Sequence, residues 1–215
     1  MKIRKIHLSS FSALAGTVIL AAGSVQSILS YNQSHPSRYS FTNHFVSELG
    51  WSESSQASAL FNGGLIAVNL AFLPMVILIG RNIGTRLGYL AMFSGICTLL
   101  AGVGVGIWPL DHLQPHLIAA IAFFWAYLVT VFLFTLAYCP RWNNKPSRAM
   151  VFVGTLCCLI AIAFLAFPKQ SAVKALQQLD SFQRPQLWWL ALLEWGVVFS
   201  ALLWGIVATL VQWRK

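Results

Sequence analysis

Six long apolar segments separated by short polar connectors dominate the pattern of hydrophobic and polar positions along the chain. Each is about as long as the roughly 20 residues that a helix needs to cross a bilayer. Because the hydrocarbon interior offers backbone groups no partners, each segment is expected to be helical. The pattern predicts an all-α integral membrane bundle, one domain over residues 1–215. Its six transmembrane helices have approximate bounds of 8–30, 57–80, 85–107, 115–138, 148–167 and 187–211.

A shorter amphipathic pattern lies between the fifth and sixth apolar segments. Ala172, Leu176, Leu179 and Phe182 recur at helical spacing, with polar residues between them. This spacing predicts an interfacial helix at about residues 170–182, lying flat at the membrane surface. Two interpretations stay open: a connector that covers the end of the bundle, or a lid over an outward-facing cavity.

The composition strengthens the membrane prediction. Hydrophobic residues make up 58% of the 215 residues and charged residues only 9%, whereas soluble domains carry about 25% charged residues. An ordinary soluble domain is therefore excluded. The four cysteines lie within the apolar segments or at the end of one, so they do not indicate a disulfide framework.

The positive charge of the chain follows the connectors. The formal net charge is +9, but the lysines and arginines lie in short stretches between apolar segments, so we expect no nucleic-acid partner. Ten of them, and no acidic residue, fall on one side: at both termini and at 81–86 and 141–148. The positive-inside rule then predicts cytoplasmic termini for a multi-pass protein of the inner or plasma membrane.

The N-terminus can be interpreted in two ways. A basic start followed by an apolar stretch and small residues is typical of a secretory signal. The apolar stretch, however, continues through Val25 and Ile28, beyond the usual length of a signal core. We therefore expect a retained first membrane helix.

The outer connections are longer and chemically richer than the inner ones. They comprise residues 31–56, 108–114 and 168–186. With His116 just inside the fourth segment, they hold four of the five acidic residues and four of the five histidines. A functional site, if the protein has one, is expected to open on this side.

The stretch WPLDHLQPH, residues 108–116, is the densest ionisable cluster. Pro115 suits the first turn of the fourth helix, where its missing N–H costs nothing. His116 then lies near a helix N-terminus, whose positive end favours a neutral imidazole that can accept a proton or bind a metal. His112, His116 and Asp111 are the candidate ligands for a divalent metal such as zinc, although the spacing matches no strong metal motif. The alternative is structural: Asp111 caps the turn and His116 bonds a neighbouring loop.

A second polar stretch is YSFTNHFVSELGW, residues 39–51. Phe41, Phe45 and Leu49 recur every four residues, which predicts a short helix with its apolar face in the membrane boundary. The polar residues of this helix are candidates for the site. They are His44 and Ser47 as substrate-binding residues and Glu48 as a catalytic residue.

Glu194 is the one acidic residue deep inside an apolar segment. A carboxylate there is expensive unless it is paired or neutral, so it is a functional candidate. Asn62 in the second segment is expected at a similar depth, where it could line a cavity as a substrate-binding residue. Asn69 suits helix–helix hydrogen bonding. Gly102 and Gly106 indicate close helix packing rather than a phosphate loop.

Three of these patterns together carry a family resemblance. They are SELG at residues 47–50, the PLD…H stretch with Pro109, Asp111 and His116, and the acid Glu194. With six spans, the chain resembles a family of small prokaryotic membrane proteins of unknown function. That family is distantly similar to the eukaryotic group of autophagy-modulator membrane proteins and a GPI-anchor lipid-remodelling factor. The resemblance implies a six-helix bundle with a polar cluster near its outer face.

The leading functional hypothesis is a protein that binds or processes a lipid or lipid-linked substrate at the outer leaflet. Glu48, Asp111, His116 and Glu194 would bind the head group in an outward-facing polar pocket. In an enzymatic version, a hydrolase or transferase acting on lipids, His116 is the base and Asp111 or Glu48 orients it. Membrane lipids are the expected partners, and no protein partner is indicated. The alternatives are a non-catalytic helper or partner-binding subunit and a proton-coupled carrier that uses Glu194.

Overall fold

The computed structural model describes residues 2–35, 37–168 and 184–213, and this part of the chain is helical with turns and loops and no strand. Three short 3-10 helices lie in the connections, at Val46–Gly50, Leu110–His112 and Cys139–Arg141. Six long α-helices make up the rest. They are α1 (Lys2–Ser34), α2 (Ser58–Ile83), α3 (Arg86–Ile107), α4 (Leu113–Tyr138), α5 (Lys145–Ala166) and α6 (Trp189–Trp213).

All six long helices are long and apolar enough to cross a membrane. Their outer surfaces carry many exposed large hydrophobic side chains, among them Phe11, Phe93 and Phe152. Such surfaces are stable against lipid and not against water. The predicted all-α fold with six membrane-spanning helices is confirmed. The predicted interfacial helix at 170–182 lies outside the described residues.

The helices form a ring in chain order. Each packs against the next, and α6 returns to contact α1. Elements that are consecutive in the chain usually lie next to each other in space, and this holds here for the long connections as well as for the short turns. The turn between α2 and α3 is the tightest. Gly84 ends α2 with a φ of 67°, and the Thr85 hydroxyl then accepts the N–H of Gly88 to begin α3.

Close helix packing is concentrated at glycines, as expected for membrane helices. A Cβ atom placed on Gly106 would lie 2.8 Å from the carbonyl oxygen of Asn62, and one on Gly102 would collide with the Asn69 amide. The prediction that Gly102 and Gly106 pack α3 closely against a neighbour is therefore confirmed, with α2 as that neighbour.

The two ends of the ring differ. The loop end carries residues 37–57, 108–112 and 184–188, whereas the basic end carries the short turns at 84–85 and 139–144. At the loop end, segment 42–48 is joined to the start of α6. The Trp188 N–H donates to the Thr42 carbonyl at 2.8 Å, and the Trp195 indole donates to the His44 carbonyl at 3.2 Å.

Candidate functional site

The 3-10 helix Val46–Gly50 covers the loop end of the ring. Its carbonyl groups are held by two of the long helices. The Ser27 hydroxyl of α1 donates to the Leu49 carbonyl at 2.6 Å, and the Asn62 amide of α2 donates to the Gly50 carbonyl at 2.8 Å. We call this helix the roof. The spacing of Phe41, Phe45 and Leu49 predicted a short helix in this stretch. A short helix is present, but it is a 3-10 helix that begins at Val46, and residues 41–44 form turns and a bend.

Two buried carboxyl groups satisfy the free N–H groups at the start of the roof. Glu48 folds back to accept the Phe45 N–H at 2.8 Å, and Glu194 of α6 accepts the Val46 N–H at 2.9 Å. The first N–H groups of any helix lack partners within the helix, and carboxylates are favoured there. The sequence indicated only that Glu194 must be paired or neutral. The observed partner is a backbone N–H.

Glu48 forms an ion pair as well. Both guanidinium nitrogens of Arg184 donate to its carboxylate, at 2.9 and 2.7 Å, in the bidentate geometry typical of strong pairs. Burial raises the pKa of Glu48, while Arg184 and the Phe45 N–H oppose that shift. The side chain of Glu48 is 0% exposed and that of Arg184 19% exposed. Glu48 is therefore enclosed by the protein and does not line the cavity described below.

His44 lies behind the roof in an aromatic cluster. Its Nδ1 lies 2.7 Å from the Asn43 side-chain oxygen and 3.2 Å from the Ser40 nitrogen, and its Nε2 lies 3.0 Å from the Tyr31 hydroxyl. The Tyr39 ring packs against it, with ring centroids 4.9 Å apart. Burial and the nearby Arg184 charge lower the pKa of His44 to about 4, which keeps it neutral at pH 7. His44 therefore packs the loop, and it is absent from the cavity wall.

The residues of WPLDHLQPH divide into two groups. His116 is buried, and its Nδ1–H donates to the Trp108 carbonyl at 2.8 Å, which leaves Nε2 as an acceptor. Asp111 is exposed and accepts hydrogen bonds from the backbone and hydroxyl of Ser52. His112 is also exposed.

These positions correct two predictions for the cluster. The group that orients His116 is the Trp108 carbonyl, because Asp111 bonds Ser52 and Glu48 bonds Arg184. The proposed metal ligands His112, His116 and Asp111 are not brought together. In residues 2–35, 37–168 and 184–213, no three His, Cys, Asp or Glu side chains form a group that could hold a metal ion.

An internal cavity of about 160 Å³ lies in the centre of the ring, beneath the roof. All long helices except α5 contribute to its wall, and most of the lining side chains are apolar. It is elongated along the bundle. On α6 it extends from Glu194 to Gly205, eleven residues apart, or about 16 Å at 1.5 Å per residue.

Polar side chains gather at the loop end of this cavity. Ser47 of the roof, Asn62, His116 and Glu194 line it there, and the Ser47 hydroxyl lies beside the Glu194 carboxyl. We call these four residues the polar mouth. Four of the site residues predicted from the sequence thus line the same cavity. Glu48, His44, Asp111 and His112 lie outside the cavity wall.

The deeper polar groups of the cavity are already paired. Thr98 and Thr130 share a hydrogen bond of 2.9 Å, and the Tyr127 hydroxyl meets that of Ser200 at 3.1 Å. The Asn69 amide donates to the Leu65 carbonyl of its own helix at 2.8 Å. The part of the cavity farther from the polar mouth therefore offers few free hydrogen-bonding groups to a ligand.

Arg184 is the main residue of this region that sequence reasoning missed. The charge count treated it only as one of the basic residues outside the ten on the basic side. The available signal was its positive charge on the same side of the membrane as Glu48. The Ser52 partner of Asp111 and the Trp108 carbonyl partner of His116 had no comparable signal, because backbone carbonyls and single serines occur everywhere.

The chain matches, over residues 12–211, the model of a family described as Protein of unknown function (DUF998). No curated protein and no solved structure matches it.

Proposed function

The chain belongs to the family described as Protein of unknown function (DUF998), and we propose that this integral membrane protein binds a membrane lipid in its central cavity. The hydrocarbon chain of the lipid occupies the apolar part of the cavity. The head group lies at the polar mouth, at the leaflet that the charge distribution predicts to be extracytoplasmic.

One observation carries this proposal: the cavity is elongated and mostly apolar, and the histidine and the carboxyl group that line it lie at one end. Its length on α6 of about 16 Å is roughly half of the 30 Å hydrocarbon thickness of a bilayer. A single lipid leaflet has this depth and this division into apolar chain and polar head. Pockets that are mostly apolar with a few converging polar groups are typical of small-molecule sites.

The polar mouth supports binding more strongly than it supports catalysis. A general base needs a positioned acid–base partner or a nucleophile, and His116 has a backbone carbonyl as its partner. Lipid processing stays a hypothesis that rests on His116 and Glu194 alone. A non-catalytic helper that presents a bound lipid to a partner fits the same cavity. The similarity to the autophagy-modulator and GPI-remodelling group stays a prediction from the sequence.

The test is to fill the cavity and measure which lipids remain bound. Ala120 and Ala201 line the cavity from α4 and α6. Ala120→Leu and Ala201→Phe are expected to abolish the lipid that co-purifies one-to-one with the wild type in native mass spectrometry. The matched control is Ala122→Leu, on the exposed side of α4, which should retain the lipid. An equal amount of bound lipid in all four proteins would contradict the proposal.

A further inference from the structure

The polar mouth differs in charge from the usual sites for anionic lipids. Phosphate and carboxylate head groups are normally held by arginine, lysine or backbone N–H groups. The residues that line the cavity include neither lysine nor arginine. The nearest described cation, Arg184, is engaged with the Glu48 carboxylate and the Asn43 carbonyl.

The mouth instead offers acceptors. A carboxylate has about four acceptor positions, and the Val46 N–H accounts for one on Glu194. The Nε2 of His116 is a further acceptor, because its Nδ1–H is committed to Trp108. Within the described residues, no side-chain cation pairs with Glu194.

A buried carboxylate without a cation is unfavourable in the absence of a ligand. The Glu48 and Arg184 charges cancel, so the Glu194 carboxyl is the acidic group that lines the cavity without a cation among the described residues. Within this part of the chain, an anionic head group would meet the carboxyl with no compensating positive charge. A head group that donates hydrogen bonds and carries positive charge would supply the missing partner.

We infer that the lipid carries a primary amine, whose ammonium group donates to the Glu194 carboxylate and to His116 Nε2 while its chain fills the cavity. This inference rests on the proposed function and adds the head-group class. Glu194 is then a binding residue, and the roof holds its second oxygen in position through the Val46 N–H.

The experiment compares three probes of equal chain length: hexadecylamine, hexadecanol and hexadecanoate. Their binding to the detergent-purified full chain is measured at pH 7 by competition in native mass spectrometry. For the wild type, the amine is expected to bind at least tenfold more tightly than the carboxylate, with the alcohol between them. A charge-assisted hydrogen bond of about 1.5–3 kcal/mol accounts for a difference of this size.

Glu194→Gln is the informative variant, because an amide oxygen still accepts the Val46 N–H and preserves the roof. It should lose at least tenfold in amine affinity while its alcohol affinity stays within about twofold. Glu53→Gln is the matched control: it removes a carboxylate from an exposed position at the same end of the bundle and should leave all three affinities unchanged.

The outcomes separate the two proposals. Equal binding of the amine and the carboxylate, or an unchanged amine affinity in Glu194→Gln, overturns the head-group inference while chain binding stands. If none of the three probes binds the wild type, both the proposed function and the head-group inference are contradicted.

Discussion

Glu48 and Glu194 are buried carboxyl groups that accept adjacent N–H groups at the start of the same short helix, yet their surroundings differ. Glu48 has a bidentate arginine and no access to the cavity. Glu194 has no cation among the described residues and lines the cavity. Under the proposed function, this difference separates a carboxyl that stabilises the loop from one that binds the ligand. Glu48, which is paired with Arg184, holds the loop in place. Glu194, which has no cation partner among the described residues, is available to a ligand.

The largest expected effect comes from replacing each carboxylate by its amide. Glu48→Gln leaves Arg184 without a charge partner and should lower the free energy of unfolding by about 3 kcal/mol, since breaking a buried pair costs that much. Glu194→Gln removes a buried carboxyl that has no cation partner among the described residues, and it should stay within about 1 kcal/mol of the wild type or exceed it. Thermal unfolding of the purified proteins, followed by tryptophan fluorescence, measures both.

A double variant checks that the ion pair causes this difference. Glu48→Gln combined with Arg184→Gln removes both charges, so its loss should be clearly smaller than the sum of the two single losses. Losses that simply add would show that Glu48 and Arg184 act independently, and the comparison would lose its physical basis.

A smaller effect on protein stability is expected when the pH is lowered, because His44 becomes protonated. The pKa of His44 is about 4 in the folded protein, against about 6.5 when unfolded. The unfolded chain therefore binds the extra proton first as the pH falls below about 6.5. Stability should decrease from there towards pH 4, by about 1 kcal/mol at pH 5 after allowance for solvent screening.

His44→Gln should remove this contribution, although the variant is less stable overall because the bond to Tyr31 changes. The measurement is the difference in unfolding temperature between pH 7 and pH 5 for the wild type and the variant. An identical pH dependence in the two proteins would rule out His44 as its source.

The smallest effect is expected at Asp111, which the sequence placed in the catalytic group. Its carboxylate bonds Ser52 at an exposed position, where single contacts contribute little. Asp111→Asn should change stability by less than about 1 kcal/mol and leave lipid binding intact. A large loss of bound lipid in Asp111→Asn would contradict this prediction and indicate that Asp111 contributes to lipid binding.

The fold could be predicted from the sequence because it depends on segment length and hydropathy, which act over about 20 residues at a time. Part of the site could be predicted too. Glu194 and Asn62 were recognisable because polar groups are rare in apolar segments, and His116 because of its place at a helix start. The pairing of Glu48 with Arg184 depends instead on residues 136 positions apart, and no local pattern encodes such a pair.

The WPLDHLQPH cluster shows that ionisable residues close together in the sequence need not belong to the same site. Asp111 and His116 are five residues apart, but the turn at Leu110–His112 directs Asp111 to the exposed edge while α4 carries His116 inwards. Ionisable residues that are neighbours in the sequence therefore predicted the cavity lining less well than isolated polar residues within apolar helices did.

The most direct test of the central claim is an experimental structure of the protein purified with its native membrane lipids. The account predicts one continuous density in the cavity, running from Glu194 and His116 to Gly205, with its head group within hydrogen-bonding distance of the Glu194 carboxylate. A cavity that is empty or holds only separate water molecules, in a sample whose surface lipids are visible, would contradict it.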